Sequence, residues 1–277
     1  MMVNPGSVSR SIWGALDRLP YWLLALVLLG LWFLWLILSD GDYHQILGAL
    51  IRGVGVSLYV TFWAFGLALG VGLIAALGLG AAARFIREIA RFYVELVRGI
   101  PVLVLLFYIA FVGAPQYVVF HNWLLFPLID REWIGALSVR DIDFTWRAII
   151  ALTISYSAFL AEVFRAGIDA VPKGQWEAGR TIGLSRWQTL RMVILPQAIR
   201  MVLPPLGNDF IAMLKDSALV SALGVQDITQ LGKVMAASTF QFFETYNVVA
   251  FLYLTLTISL SVLVRWVERV LNRAPEN

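Results

Sequence analysis

Six stretches of mostly apolar residues, each about the length that crosses a bilayer, run through this chain and constrain its fold more than any other feature. A helix needs ~20 such residues to traverse the hydrocarbon core. The stretches cover residues 21–38, 54–79, 102–120, 147–170, 203–223 and 248–266. Lipid offers no hydrogen bonds to a polar backbone, so each stretch must be helical. The third can also start near Ile89 and finish near Val112, with Gly99 and Pro101 bending it. The fold class that follows is all-α, a polytopic transmembrane helix bundle of six spans. Composition agrees, since 60% of residues are hydrophobic and only 14% charged, too few to clothe a soluble domain.

Positive charge sets the orientation. With the N-terminus in the cytoplasm, fifteen of the 21 Lys and Arg residues fall in inside segments. They are Arg10 and Arg18, then the run from Arg84 to Arg98, then the run from Arg165 to Arg200, then Arg265, Arg269 and Arg273. Only Arg52, Arg131, Arg140, Arg147 and Lys233 fall outside, and Lys215 lies within a span. Both termini are therefore predicted on the cytoplasmic side. The same distribution explains the net charge of +3 without nucleic acid as a partner.

Several chemistries are excluded early. With no cysteine there is no disulfide framework, thiolate metal site or thiol nucleophile. His44 and His121 lie outside the apolar runs or at their edge and read as loop residues rather than ligands. No catalytic residue or metal site is predicted, because the spans hold no nucleophile–base pair or ligand cluster. The first span is too long for a typical signal-peptide core. Ser39-Asp40-Gly41-Asp42 follows it, and with that length it is read as a retained anchor or packing helix. The connection 113–145 is a long outside loop, and Trp123, Trp133 and Leu124-Leu125-Phe126 suit a piece lying at the membrane interface. Trp32, Trp63 and Trp146 read as interface or packing residues.

The cytoplasmic segment 170–205 is the most informative. Pro172 suits the first turn of a helix. Trp176, Ala178, Ile182 and Leu184 alternate with Lys173, Glu177, Arg180 and Arg186, which predicts a short amphipathic helix. A break near Gly183 and a second helix over 185–194 follow, closed by Leu195-Pro196 before the next span. Such a helix either lies on the membrane or inserts into a groove on a partner.

Glu177-Ala178-Gly179, Gly183 and Val193-Ile194-Leu195-Pro196 resemble the EAA loop of permease subunits of ATP-binding-cassette importers. Gly179 stands where alanine is usual, and Val193 where isoleucine is usual. Further blocks resemble the polar amino acid permeases: Arg98-Gly99-Ile100-Pro101, Ala161-Glu162-Val163-Phe164-Arg165-Ala166-Gly167-Ile168, Pro172-Lys173-Gly174-Gln175, and Leu214-Lys215-Asp216-Ser217-Ala218-Leu219-Val220-Ser221. The resemblance implies a five-helix permease core over 53–270 with its coupling loop at about 170–200. It leaves residues 1–52 as an N-terminal segment with one additional helix, and 271–277 as a cytoplasmic tail. It also implies a multi-pass protein of the bacterial inner membrane with defined partners. These are cytoplasmic ATP-binding subunits, an extracytoplasmic amino-acid-binding protein, a second permease subunit (identical or related) and an amino acid cargo. The chain has no GxxxxGK[ST] loop, so ATP and Mg belong to the partner ATPase and no cofactor is expected on this chain. Glu177, Ala178, Gly179, Gly183, Leu195 and Pro196 are the coupling residues the resemblance assigns.

Ionisable groups inside a span are functional candidates by default. The fifth span holds Asn208, Asp209, Lys215 and Asp216. Asp209 and Asp216 are two helical turns apart and face nearly the same way, so together they suit a substrate's ammonium group. Glu95 with Arg98, and Glu162 with Arg165, have i,i+3 spacing and read as structural pairs. A secondary transporter or channel that uses these charges for ion coupling is the alternative. It leaves the EAA-like loop unexplained.

Overall fold

The computed structural model describes residues 21–271, and every regular element among them is helical. Residues 1–20 and 272–277 lie outside this range, and with them Arg10, Arg18, Arg273 and the two chain ends whose side was predicted. Helix α1 spans Tyr21–Ser39 and α2 Gly41–Leu79. The third apolar stretch is preceded by a separate amphipathic helix, α3 (Arg84–Arg98). It then runs as α4 (Val102–Tyr108), a π-turn (Ile109–Gly113) and α5 (Ala114–Leu124). A short α6 (Phe126–Ile129) and a 3-10 turn (Val139–Asp141) lead to α7 (Phe144–Asp169). The segment after α7 forms α8 (Lys173–Thr181), α9 (Arg186–Thr189), a π-turn (Leu190–Ile194) and α10 (Leu195–Asp216). A 3-10 turn (Ser217–Leu223), α11 (Ile228–Thr239) and α12 (Phe242–Leu271) complete the chain.

Several boundaries differ from the sequence reading, each for a local reason. Helix α2 starts at Gly41, thirteen residues before the predicted span, so only Asp40 separates it from α1. Asp40 turns the chain: its carboxylate accepts from the Asp42 N–H at 2.9 Å, capping the new helix. At 39 residues α2 is about 58 Å long, nearly twice the hydrocarbon thickness. His44 and His121 therefore lie in α2 and α5, not in loops. Gly99 and Pro101 do not bend one helix but part α3 from α4. Leu195-Pro196 does not end the second helix of this segment either. The π-turn before it merges directly into α10, with Pro196 in the first turn, where a missing N–H is harmless. The Gln197 amide donates to the Val193 carbonyl at 2.7 Å. The fifth apolar stretch is helical only to Asp216 and continues as a 3-10 turn.

Among the described residues, four helical stretches are long and apolar enough to cross a bilayer: Gly41–Leu79, Val102–Leu124, Phe144–Asp169 and Phe242–Val270. Helix α10 has the length but carries Arg200, Asp209, Lys215 and Asp216, which lower its hydropathy.

The core is built around α2 and α7, which pack along one another more extensively than any other pair. Ala64, Ala68 and Gly72 recur every fourth residue on α2 and are buried against α7. A Cβ on Gly72 would meet the Ser157 carbonyl at 2.9 Å, so the backbones approach as small-residue contacts in membranes allow. Leu106, Ile149, Leu152, Met213 and Val220 fill the same cluster. Helix α1 joins a separate cluster, with Ile37 beside Tyr43, Ile46 and Leu50 of α2 and Val248, Val249 and Leu252 of α12. The Trp63 and Trp146 rings approach to 6.4 Å between α2 and α7, a packing contact.

Candidate functional site

The sequence singles out two groups of residues: the segment after α7 and the polar residues of α10.

Helix α8 ends in a turn dictated by one glycine. Gly183 has φ +82, a left-handed conformation that a side chain disfavours. The Ile182 N–H bonds Ala178 O, the Gly183 N–H bonds Arg180 O at 2.9 Å, and the Leu184 N–H reaches Gly179 O at 3.0 Å. These bonds satisfy the last carbonyls of α8 in a Schellman-like cap. Ser185 opens α9 with a capping box in which its hydroxyl accepts from the Gln188 N–H and Gln188 Oε1 accepts from the Ser185 N–H. The chain thus folds back sharply and sets α8 beside α9.

Gly179 is buried at the contact between these two helices, where a Cβ would lie 2.5 Å from Thr189 Cγ2 and 2.8 Å from Thr189 Oγ1. The departure from the usual alanine is therefore a fit to Thr189, itself 1% exposed. The sequence around Gly179 carries no sign of this fit, because the partner lies on another helix. Val171, Ile194 and Ala198 anchor the hairpin, with Trp176 and Leu190 packed on them. Glu177, Ala178, Gly183, Leu195 and Pro196 are exposed, as is the apolar side chain of Ile182. The outer face thus presents a carboxylate among apolar groups, on a rigid turn, which is what insertion into a groove requires.

In α10 the predicted residues separate. Asp216 accepts a hydrogen bond from the Tyr156 hydroxyl of α7 at 2.7 Å. Asp209 is half-buried, and its Oδ2 is buried with no hydrogen-bond partner among the described residues. Lys215 and Asn208 are exposed, and Lys215 forms no ion pair among the described residues. The partner of Asp216 is thus a phenol rather than the adjacent lysine. Sequence reading missed Tyr156, which is 60 residues from Asp216.

The expected pairs within α3 and within α7 are replaced by other partners. Arg98 forms its ion pair with Glu162, across from α3 to α7, and lies over the Phe159 ring at 5.5 Å. Arg165 pairs with Asp169 one turn on, at 3.5 Å, and donates to the last carbonyl of α2, Leu79 O, at 3.3 Å. Glu95 has no ion pair among the described residues. The helix break at Gly99 carries Arg98 against α7, where Glu162 is the nearer carboxylate.

Residues 68–275 match the protein family described as the binding-protein-dependent transport system inner membrane component. Among curated relatives, a probable amino-acid permease protein of Bacillus subtilis is 36% identical over 81% of this chain and 92% of its own length. The glutamine transport system permease protein of Escherichia coli is 32% identical over 79% of this chain and 91% of its own. Among solved structures, a chain of an amino acid transporter of the ATP-binding-cassette type, crystallised with histidines, superposes with a TM-score of 0.68. It is 34% identical, and the match covers 84% of this chain and 97% of that one. A chain of an inward-facing methionine transporter, 20% identical with a TM-score of 0.61, shares the fold.

Proposed function

The chain belongs to the binding-protein-dependent transport system inner membrane component family, and from that premise we propose that it forms the path for an amino acid cargo, with Asp209 as the group that meets the cargo's positive charge. As a member it is a permease subunit of the bacterial inner membrane, and ATP is hydrolysed in separate subunits of the transporter.

The orphaned carboxylate oxygen of Asp209 carries the reading. A carboxylate held away from water without a partner is unfavourable, and a cation that supplies the missing hydrogen bonds is correspondingly favoured. Asp216 is already engaged by Tyr156. Asp209 is therefore the better placed to receive an ammonium or guanidinium group, with Asn208 and Lys215 on exposed faces of the same helix. The cargo carries a free α-amino group, and basic or polar amino acids are preferred over acidic ones.

The remaining assignments follow the same reading. Six spans, α1 included, place both termini in the cytoplasm. Residues 53–270 form the permease core. Glu177, Ala178, Gly179, Gly183, Leu195 and Pro196 belong to the element that docks on the ATPase, which binds ATP and Mg. A second permease subunit, identical or related, completes the path, and an extracytoplasmic binding protein delivers the amino acid.

The test is uptake of arginine against glutamine by the assembled transporter carrying Asp209→Asn, at matched subunit levels. Arginine uptake should fall several-fold more than glutamine uptake. An unchanged ratio removes Asp209 from the path, and loss of assembly with no change in preference makes it a structural carboxylate.

A further inference from the structure

A cavity of about 640 Å³ opens between the inner ends of α2 and α7 and the α8–α9 hairpin. Its lining combines two chemistries. Leu77 of α2 and Leu190 of the π-turn give it apolar wall. Lys173 and Arg186 line it as well, together with Trp176 and Trp187. Neither cation forms an ion pair or a side-chain hydrogen bond among the described residues. The carboxylate on the lining, Asp169, is taken by Arg165 at 3.5 Å. Positive charge is therefore in excess where the apolar spans give way to the cytoplasmic loop.

We propose that this cavity holds an anionic phospholipid of the inner leaflet, its phosphate between Lys173 and Arg186 and the upper part of an acyl chain against Leu77. An amphipathic cavity calls for an amphipathic ligand. A free phosphate would leave the apolar wall unused, and a zwitterionic lipid brings its own cation toward two others. Tryptophan at the headgroup level and basic pockets between helices on the cytoplasmic side are the known physical signature of such sites. Because α8 and α9 form one wall and α2 and α7 the other, the lipid bridges the coupling hairpin to the spans.

The test is native mass spectrometry of the full-length chain in detergent. It is titrated separately with phosphatidylglycerol, with phosphatidylcholine of the same acyl chains, and with glycerol phosphate. Phosphatidylglycerol should be retained at least about tenfold better than phosphatidylcholine, as two membrane-surface cations provide, and glycerol phosphate should not be retained. The Lys173→Gln/Arg186→Gln variant should lose that preference, whereas Arg265→Gln/Arg269→Gln, which removes two exposed cations of α12, a helix that lines none of the cavity, should keep it. Retention of glycerol phosphate as strong as that of the lipid would make this a site for a soluble anion and overturn the proposal. An undiminished preference in the first variant, or an equal loss in both, would also overturn it.

Discussion

Arg147 and Asp227 are the charged side chains buried among the described residues, and each is held by backbone and hydroxyl groups rather than by an opposite charge. Arg147 donates to Ile142 O at 2.8 Å, to Ala110 O at 3.1 Å and to Val139 O, with the Phe144 ring 4.6 Å below. The Ala110 carbonyl belongs to the π-turn, whose wider helical ring frees acceptors for such use. The predicted outside loop is therefore stapled to the spans, helped by paired hydrogen bonds between Asn122 and the backbone of Leu137. Asp227 caps α11 through the Gln230 N–H at 2.8 Å and accepts from the Tyr253 hydroxyl at 3.1 Å. Burial pushes its carboxyl above the usual range, and these hydrogen bonds pull the other way. Asp227→Ala should cost about 1 kcal/mol for the lost cap, lowering the melting temperature in detergent by about 2–4 °C. Asp227→Asn keeps an acceptor and should cost less. An equal drop in both variants would mean that charge, not the acceptor, holds α11. None of this was legible in the sequence, where Arg147 reads as one more outside cation. Its partners lie on two other segments, and backbone carbonyls leave no trace in residue identity.

The α8–α9 hairpin, the proposed coupling element, was largely legible at the scale of the element. Its helix, its break at Gly183 and its apolar and charged faces follow from residue spacing, because all the bonds that make them are local. The fit of Gly179 against Thr189 was not, since nothing in α8 alone reports the side chain of α9. Two effects oppose each other there. Restoring the usual alanine gains about 1 kcal/mol of helix propensity. Forcing a Cβ to within 2.5 Å of Thr189 costs about 1–3 kcal/mol by overpacking. The second should win, so Gly179→Ala should spread α8 from α9 and reduce ATPase-coupled transport several-fold. Gly179→Ala/Thr189→Ala removes both offending atoms and should recover most of it. Failure of the double variant to recover, in uptake assays at matched expression, would refute the packing account. The helix ends at Asp40 and Gly99 were misplaced for a related reason. Apolarity reports what lies in lipid, whereas α2 and α3 continue as helices beyond it.

For the whole molecule, composition made the helical class plain, while the path through the bundle depended on contacts between distant helices. Orientation is testable because the chain has no cysteine. Gly135 and Gly174 both have open space where a Cβ would stand. Gly135→Cys and Gly174→Cys, made singly, should label from opposite faces of the membrane, and labelling from one face would contradict the proposed topology. The central claim is that this permease moves an amino acid only when its coupling hairpin is driven by a separate ATPase. Ion coupling through the charges of α10 is the rival, and it needs no ATPase. The most direct measurement is amino acid uptake into proteoliposomes holding the permease with its ATPase and binding protein. Uptake should require ATP and the binding protein, persist when ion gradients are collapsed, and vanish in Glu177→Lys even though the chain still inserts. Uptake by the permease alone, driven by an ion gradient and indifferent to ATP, would contradict the account.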